Sequence, residues 1–415
     1  MQTADNGVPV TSMEPLRNSP GETGPDAHGI SPGFLGFLAA ACGLAVANIY
    51  YSQPMLPLLE AYFRLSPSQV SFIPTVTQFG YAAGLLAFVP LGDRISRKRL
   101  ILSLLAANTL CLLFSGLAPQ FWVLGVASYV VGLTSVTAQI IIPMTVAIAS
   151  PMQRGKVVGV LLSGLSSGVL LARTLSGLVA AHSGWRAMYF LAAALDVGLF
   201  SFIALRMPDS AGEATVKYGE LLRSLWHLFL AEPLLRLSAL TGALCFAAYS
   251  GFWSALAFLL ARPPYGFGSD IAGLFGLVAL LGIAASASIG GWSDRRGQRT
   301  VWTIGASFFL LAFAALWWGG SSILVVCSGT VFLDLGNRAS LITNQSRIYA
   351  LRPEARSRLN TVFMVSYFTG GALGSSLGSF AAQRGGWHGL AIFGVVLPLT
   401  AMVVHALYRV PSSVR

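Results

Sequence analysis

Polar and apolar positions in this chain are segregated over whole segments rather than alternating residue by residue. Residues 1–32 are mostly polar, rich in Gly, Pro, Asp and Glu, with one Arg and no apolar leader core, so they predict a disordered tail rather than a cleaved signal. Apolar runs follow near 33–57, 71–91, 99–117, 122–149, 156–181 and 187–206. After a polar stretch they resume near 235–261, 270–291, 300–318, 322–346, 357–382 and 389–408. A helix needs roughly 20 apolar residues to cross the hydrocarbon core. Lipid offers no partner to a backbone N–H or C=O, so runs of this length predict helices. A spanning β-barrel would show alternating segments of about ten residues, and none occurs. The pattern predicts an all-α membrane protein of twelve transmembrane helices.

The polar stretch 207–234 divides the chain into two six-helix halves, 33–206 and 235–408, with a short tail at 409–415. Within it, Lys217 to Leu230 is amphipathic and predicts a helix lying on the inner membrane face. The halves resemble each other at an offset of 201–202 residues. ProMetGlnArgGlyLys (151–156) aligns with ProGluAlaArgSerArg (353–358), GlyTrpArg (184–186) with GlyTrpHis (386–388), GlyAspArg (92–94) with SerAspArg (293–295), and Gly168 with Gly370. Most of these matches are loop residues, which chance similarity between apolar helices does not explain. A repeat of six helices is a transporter architecture, with its site at the midplane between the halves.

Composition agrees. With 55% of residues hydrophobic and only 10% charged, the 415-residue chain cannot coat a soluble protein of its size. The net charge of +11 would suggest nucleic acid in a soluble protein; here it reads as a topological bias, and no nucleic-acid partner is expected. Of the 26 Lys and Arg, Arg64, Arg186, Arg262 and Arg384 fall in one set of loops and Arg173 and Arg338 lie inside spans. The remaining 20 fall in the other loops and the tails, which predicts cytoplasmic N- and C-termini in an inner (plasma) membrane protein. Cys42, Cys111, Cys245 and Cys327 are scattered through apolar runs, so neither a metal site nor a disulfide framework is expected. No GxxxxGK[ST] loop, HExxH or histidine cluster supports ATP drive or catalysis, and no cofactor is expected.

The loop after the second helix reads ValProLeuGlyAspArgIleSerArgLysArg (89–99). It resembles the G-x-L-[AG]-D-R-x-G-R-[RK] loop of the major facilitator superfamily, with Val89 and Ser96 at two of the glycine positions. A second copy, GlyGlyTrpSerAspArgArgGlyGlnArg (290–299), stands at the repeat offset. AsnIleTyrTyrSerGlnPro (48–54), LeuAlaArgThrLeuSerGly (171–177), LeuAspLeuGly (333–336) and AsnGlnSerArgIleTyrAla (344–350) look like a bacterial exporter branch near the sugar-efflux and drug:proton antiporter groups. The resemblance covers nearly everything after residue 30. It implies the major facilitator fold and a monomer exchanging a small molecule, with protons as the coupling ion. It also implies gating at the cytoplasmic side by Asp93, Arg94, Arg97, Lys98, Asp294, Arg295 and Arg299. There Asp93 and Asp294 would face helix N-termini, whose open N–H groups stabilise a carboxylate.

Four ionisable residues lie deep in spans: Arg173, Asp196, Asp334 and Arg338. Each costs at least about 2.5 kcal/mol at helix centre on insertion scales, which marks all four as proton-coupling candidates. Asp334 lies 12 residues into the tenth helix, about 18 Å deep. It could carry the coupling proton, form a static i,i+4 pair with Arg338, or snorkel. Arg173 and Asp196 stand 11 residues before Gly184 and 11 after Trp185, so both lie about 16 Å from that turn. Equal depth suggests an ion pair; alternatively, Arg173 faces the cavity and meets an anionic substrate or Asp334. Asn48, Tyr50, Tyr51, Gln53, Gln78, Tyr81, Gln139, Tyr249, Trp253, Asn337 and Asn344 could furnish a substrate cavity, the polar–aromatic mixture suiting an amphipathic molecule. Each could equally be an interhelical hydrogen bond. Gly370, Gly374 and Gly378 in GxxxG spacing read as close helix packing. The leading function is proton-coupled efflux of a drug, sugar or metabolite. A proton-linked importer, a uniporter or a non-transporting sensor are the alternatives.

Overall fold

The computed structural model of the chain describes residues 31–92, 94–150, 153–207, 218–279, 289, 295–352 and 355–408. Among these residues the secondary structure is fifteen helices without a strand. The first expected span is broken. Its outer parts are α1 (Pro32–Ala47) and α2 (Ser52–Phe63), separated by turns at 48–51. Pro54 explains the break: it has no N–H for the Tyr50 carbonyl, and its ring crowds that carbonyl in a continuous helix. α3 (Pro67–Val70), closed by a Ser66/Gln69 capping box, leads into α4 (Phe72–Leu91). α5 (Arg97–Leu117) begins on Ser96, whose side chain accepts from the Arg99 N–H.

The fourth expected span is broken too, into α6 (Phe121–Thr134) and α7 (Thr137–Ile148). Here side chains crowd a helix acceptor: besides the Ser135 N–H at 3.1 Å, the Val131 carbonyl accepts from Ser135 Oγ at 2.6 Å and from Asn108 Nδ2 at 3.0 Å. α8 (Arg154–Ser183) and α9 (Trp185–Arg206) form an antiparallel pair around Gly184, whose φ of 79° favours glycine.

α10 (Tyr218–Ala231) is the amphipathic helix of the connecting stretch, with Leu225 and Leu228 buried and Trp226 exposed. Tyr218 donates to the Ala87 carbonyl at 2.8 Å, and Leu221 and Leu225 share a small cleft with Val89, Pro90, Arg358 and Thr361. α10 therefore straps both halves at one end of the bundle. α11 (Pro233–Ala261) and α12 (Ser269–Val278) open the second half; the later part of the run expected at 270–291 lies outside the described residues apart from Ile289. α13 (Gln298–Gly319), α14 (Ile323–Leu351) and α15 (Arg356–Leu407) complete it. α15 has 52 residues and doubles back at Gly386 (φ 56°).

Nine helical segments among the described residues are long and apolar enough to cross a bilayer. α14 falls outside that number because Asp334, Asn337 and Arg338 lower its mean hydropathy, and α12 because only ten residues of it are described. The chain is an all-α membrane protein.

Small residues set the helix spacing. In the first half α1 and α8 meet at Gly43 and Gly168, where an added Cβ on Gly168 would stand 2.3 Å from the Gly43 backbone. At the repeat-related place, Gly370, Gly374 and Gly378 of α15 press on Ala243, Ala247 and Gly251 of α11, with approaches of 2.1–2.5 Å to the same kind of added carbon. The halves join along two helix pairs. α4 meets α15 through Thr75–Ser376 (2.7 Å) and Gln78–Ser375 (3.0 Å). α8 meets α12 at Gly177 and Gly273, where Thr174 Oγ1 donates to the Gly273 carbonyl at 3.0 Å. Each pair joins the second span of one half to the fifth of the other, as a two-fold relation between the halves requires.

Gly168→Ala should force α1 and α8 apart and destabilise the protein by about 1–3 kcal/mol, the usual range for overpacking. Gly159→Ala, where nothing lies within 4 Å of the new carbon, should not. Thermal unfolding of both variants in one detergent is the check; equal midpoints would contradict the packing role.

Candidate functional site

Arg173 lies in the middle of α8 and is 1% exposed. Its Nε donates to Gln53 Oε1 at 2.8 Å, just past the break between α1 and α2. The guanidinium carbon sits 3.9 Å from the Trp253 ring centroid, 4.8 Å from Tyr50 and 6.0 Å from Tyr249. A guanidinium over ring faces gains roughly 0.5–2 kcal/mol, which leaves most of the desolvation penalty of a buried cation unmet. Nη1 and Nη2 are buried and have no hydrogen-bond partner. The site draws on both halves, α2 and α8 from one and α11 from the other.

Beyond Tyr249 lies Asp334 of α14, 2% exposed. It accepts from Arg338 Nε at 2.5 Å and from the Tyr249 hydroxyl at 3.2 Å. Of the arrangements open to Asp334 from its spacing, the structure has the i,i+4 pair. Arg173 is close enough to act on this carboxylate electrostatically but does not bond it.

The ion pair suggested by the equal depth of Arg173 and Asp196 does not form. Depth follows from counting residues along a hairpin, whereas azimuth does not, and the two side chains take different partners. Asp196, 1% exposed, accepts from Asn48 Nδ2 at 3.2 and 3.3 Å. The same Asn48 nitrogen lies 3.3 Å from Asn108 Oδ1, and Asn108 Nδ2 donates to Thr134 and Ser135 at 2.8 and 2.9 Å. No cation among the described residues bonds Asp196. Asn48 and Gln53 therefore bracket the same helix break, one bonded to each buried charge.

Other expected cavity residues spread over the interface. Gln78 donates to Ser250 and Ser375 at 2.8 and 3.0 Å across the halves. Tyr81 accepts from Gln139 at 3.4 Å and packs on Phe368 with centroids 4.4 Å apart. Asn337 accepts from Tyr367 at 2.9 Å, and Tyr367 stacks on Phe246 at 3.9 Å. The phenols of Tyr50, Tyr81, Tyr249 and Tyr367 are electrostatic neighbours, which joins this aromatic layer to the Arg173 site. Tyr51 faces the first half instead, and its carbonyl accepts from Ser176. Asn344 is fully buried and lies with Thr241 and Ser340, each at 3.5 Å, away from the cluster.

Among the expected gating residues, Asp93 and Asp294 lie outside the described residues. Arg94, Arg295 and Arg299 are exposed, and Lys98 is half-buried. Arg97 Nε donates to the Gly92 carbonyl at 3.2 Å, and Arg299 reaches the Ala406 carbonyl at 3.5 Å. No group of His, Cys, Asp or Glu suited to a metal occurs among the described residues.

Sequence reasoning passed over Asn108, Tyr367, Phe368, Ser250 and Ser375. Two signals were present. Asn108 is a lone amide in LeuLeuAlaAlaAsnThrLeu, and Ser375 is the repeat counterpart of Arg173. Arg347 and His405 form a further buried pair: guanidinium and imidazole nitrogens stand 3.4 and 3.5 Å apart, with Trp302 packed on the imidazole at 4.3 Å.

Comparison with known proteins places this arrangement. The family model described as Major Facilitator Superfamily matches residues 33–346 and 289–415. The "Uncharacterized transporter YgaY" of Escherichia coli O157:H7 is 41% identical over 379 residues, covering 91% of this chain and 96% of its own. The "Probable sugar efflux transporter" of Pasteurella multocida (strain Pm70) is 27% identical over 346 residues, covering 82% of each. Among solved structures, a point mutant of the nucleoside transporter NupG superposes with a TM-score of 0.74 at 12% identity, covering 89% of this chain and 99% of the other.

Asn48→Ala should leave Asp196 without its donor and destabilise the protein by on the order of 1–3 kcal/mol or more. Asp196→Asn, which keeps an acceptor for Asn48, should change the unfolding midpoint little and should recover part of the loss in the double variant. Scanning fluorimetry of the four proteins reads this; an unchanged midpoint for Asn48→Ala would remove the bond from the account.

Proposed function

This chain belongs to the Major Facilitator Superfamily and is a multi-pass membrane transporter rather than an enzyme, and on that premise we propose that it exports a small amphipathic molecule in exchange for protons. The substrate sits between the halves at Arg173, Tyr50, Tyr249 and Trp253. Rocking of the halves about the α4/α15 and α8/α12 contacts exposes it to each side in turn. The direction is supported by the name of the Pasteurella relative, a sugar efflux transporter. The 20-to-4 distribution of Lys and Arg supports an inner-membrane protein with both termini in the cytoplasm. The protein works as a monomer, each chain carrying both halves.

One observation carries the coupling: Asp196 is a buried carboxylate whose bonded partner among the described residues is a neutral amide. Asp334 is paired with the guanidinium of Arg338, whereas no cation among the described residues bonds Asp196. As a carboxylate, Asp196 accepts from Asn48. Once it takes a proton, one of its oxygens becomes an O–H donor, and its hold on the Asn48 amide weakens. Asn48 ends α1, and Gln53, five residues on, holds Arg173. A change at Asp196 is thus passed through the break at 48–51 to the substrate site. Asp334 and Arg338 complete the coupling group by setting the charge beside Tyr249. The arginines at 94, 97, 295 and 299, with Lys98 and the loop carboxylates Asp93 and Asp294, latch the cytoplasmic side.

Proteoliposomes loaded with a substrate found by screening an overexpressing strain test the proposal. An imposed proton gradient should drive substrate out against the proton flow. Asp196→Asn should abolish that drive and leave substrate counterflow intact, because exchange needs no net proton movement. Gradient-driven accumulation in the compartment that the proton enters would reverse the direction, and full drive in Asp196→Asn would take the proton away from this residue.

A further inference from the structure

The transporter reading leaves the substrate's chemistry open, and the guanidinium of Arg173 narrows it. Nε is occupied by Gln53, while Nη1 and Nη2, both buried, have no acceptor. The indole N–H of Trp253, whose ring lies 3.9 Å from the guanidinium carbon, also has no acceptor in hydrogen-bonding geometry. Nη1, Nη2 and the indole nitrogen are all donors. The neighbouring carboxylate does not answer them, because Asp334 is committed to Arg338 at 2.5 Å and to the Tyr249 hydroxyl at 3.2 Å. Asp196 is committed to Asn48. With Asp334 and Arg338 cancelling, the positive charge of Arg173 is left over among the described residues of this site. A buried cation without an acceptor is strongly unfavourable, and a carboxylate matches the paired N–H groups of a guanidinium in a bidentate fork.

We propose that Arg173 binds a monoanionic carboxylate, one oxygen on Nη1 and the other on Nη2, carried by a substrate whose flat apolar body lies against Tyr50, Tyr249 and Trp253. This rests on the transporter reading and specifies its substrate class. A phosphate dianion would leave one negative charge over, since Arg173 is the one cation among the described residues with open N–H groups at this site. A cationic drug would meet Arg173 as a like charge. The ring faces around the guanidinium favour an aromatic or similarly flat acid over a bare inorganic anion.

The test is equilibrium binding to the purified full-length protein in detergent, without any gradient, so that it stands apart from coupling and direction. Phenylacetate and indole-3-acetate are compared by isothermal titration with the uncharged isostere phenylacetamide, the cation phenethylamine, and acetate and inorganic phosphate. The proposal expects saturable binding of the two aryl acids, at least about tenfold tighter than phenylacetamide and acetate, and no measurable binding of phenethylamine. Arg173→Gln should remove the preference for the acid, and Arg173→Lys should weaken it by about tenfold or more while keeping the sign of the charge. Should Arg173→Gln fail to fold, the ligand comparison on the unaltered protein and on Arg173→Lys still decides. Absence of saturable binding by either aryl acid, equal binding of acid and amide, equal binding of acetate or phosphate, or an unchanged acid preference in Arg173→Gln would each overturn the proposal. A protein that binds the acids yet transports without a proton gradient would keep this inference and discard only the coupling.

Discussion

A charge inside a helical bundle in lipid has to be answered by the bundle itself, because no solvent reaches it. Asp334 is answered in full by Arg338 and Tyr249. Asp196 is answered by an amide alone. Arg173 is answered through one of its three nitrogens and by ring faces. The degree of satisfaction sorts the three sites: a saturated pair is a fixed electrostatic feature, while an incompletely answered charge can be changed by what arrives there. On this account a proton completes one site and an anion the other.

The link between those two sites is local. Asn48 and Gln53 stand on either side of the break between α1 and α2, which Pro54 imposes. A second break, between α6 and α7, adjoins the first through Asn108, Thr134 and Ser135. Irregular backbone at membrane depth survives because side chains satisfy it, and those side chains belong to the same network as Asp196. On the proposed mechanism binding at Arg173 and protonation at Asp196 are coupled through this segment, and such a coupling is reciprocal. The glycine contacts between α1 and α8 and between α8 and α12 hold the rest of these helices at close range, so the turns at 48–51 are the part with room to change.

Much of the fold was legible because bilayer thickness imposes its period on the sequence, and the loop motifs repeat at a fixed offset. Both helix breaks were not. Hydropathy averages over a full span, and the break at Ser135 depends on a donor, Asn108, that comes from another helix. Residues 48–51 carry no Gly or Pro; the proline responsible follows them. The components of the site were also visible one by one, since Arg173, Asp334, Tyr249, Trp253 and Gln53 each stand out against an apolar background. Their grouping was not, because depth can be counted along a helix whereas azimuth depends on how neighbouring helices are rotated. That is why Arg173 and Asp196, at one depth, were open to pairing and are instead bonded to Gln53 and Asn48.

The central claim is that Asp196 exchanges a proton and that the Arg173 site senses it. The most direct measurement is infrared difference spectroscopy of the protein in lipid, following the protonated-carboxyl C=O stretch across a pH titration. It would be run with and without phenylacetate labelled with carbon-13 at its carboxyl group, so that the ligand band is displaced. The account predicts one titrating component of the protonated-carboxyl band that is lost in Asp196→Asn, persists in Asp334→Asn, and moves its midpoint when phenylacetate is added. A titrating band left unchanged by Asp196→Asn, or a lost component whose midpoint was indifferent to phenylacetate, would contradict it.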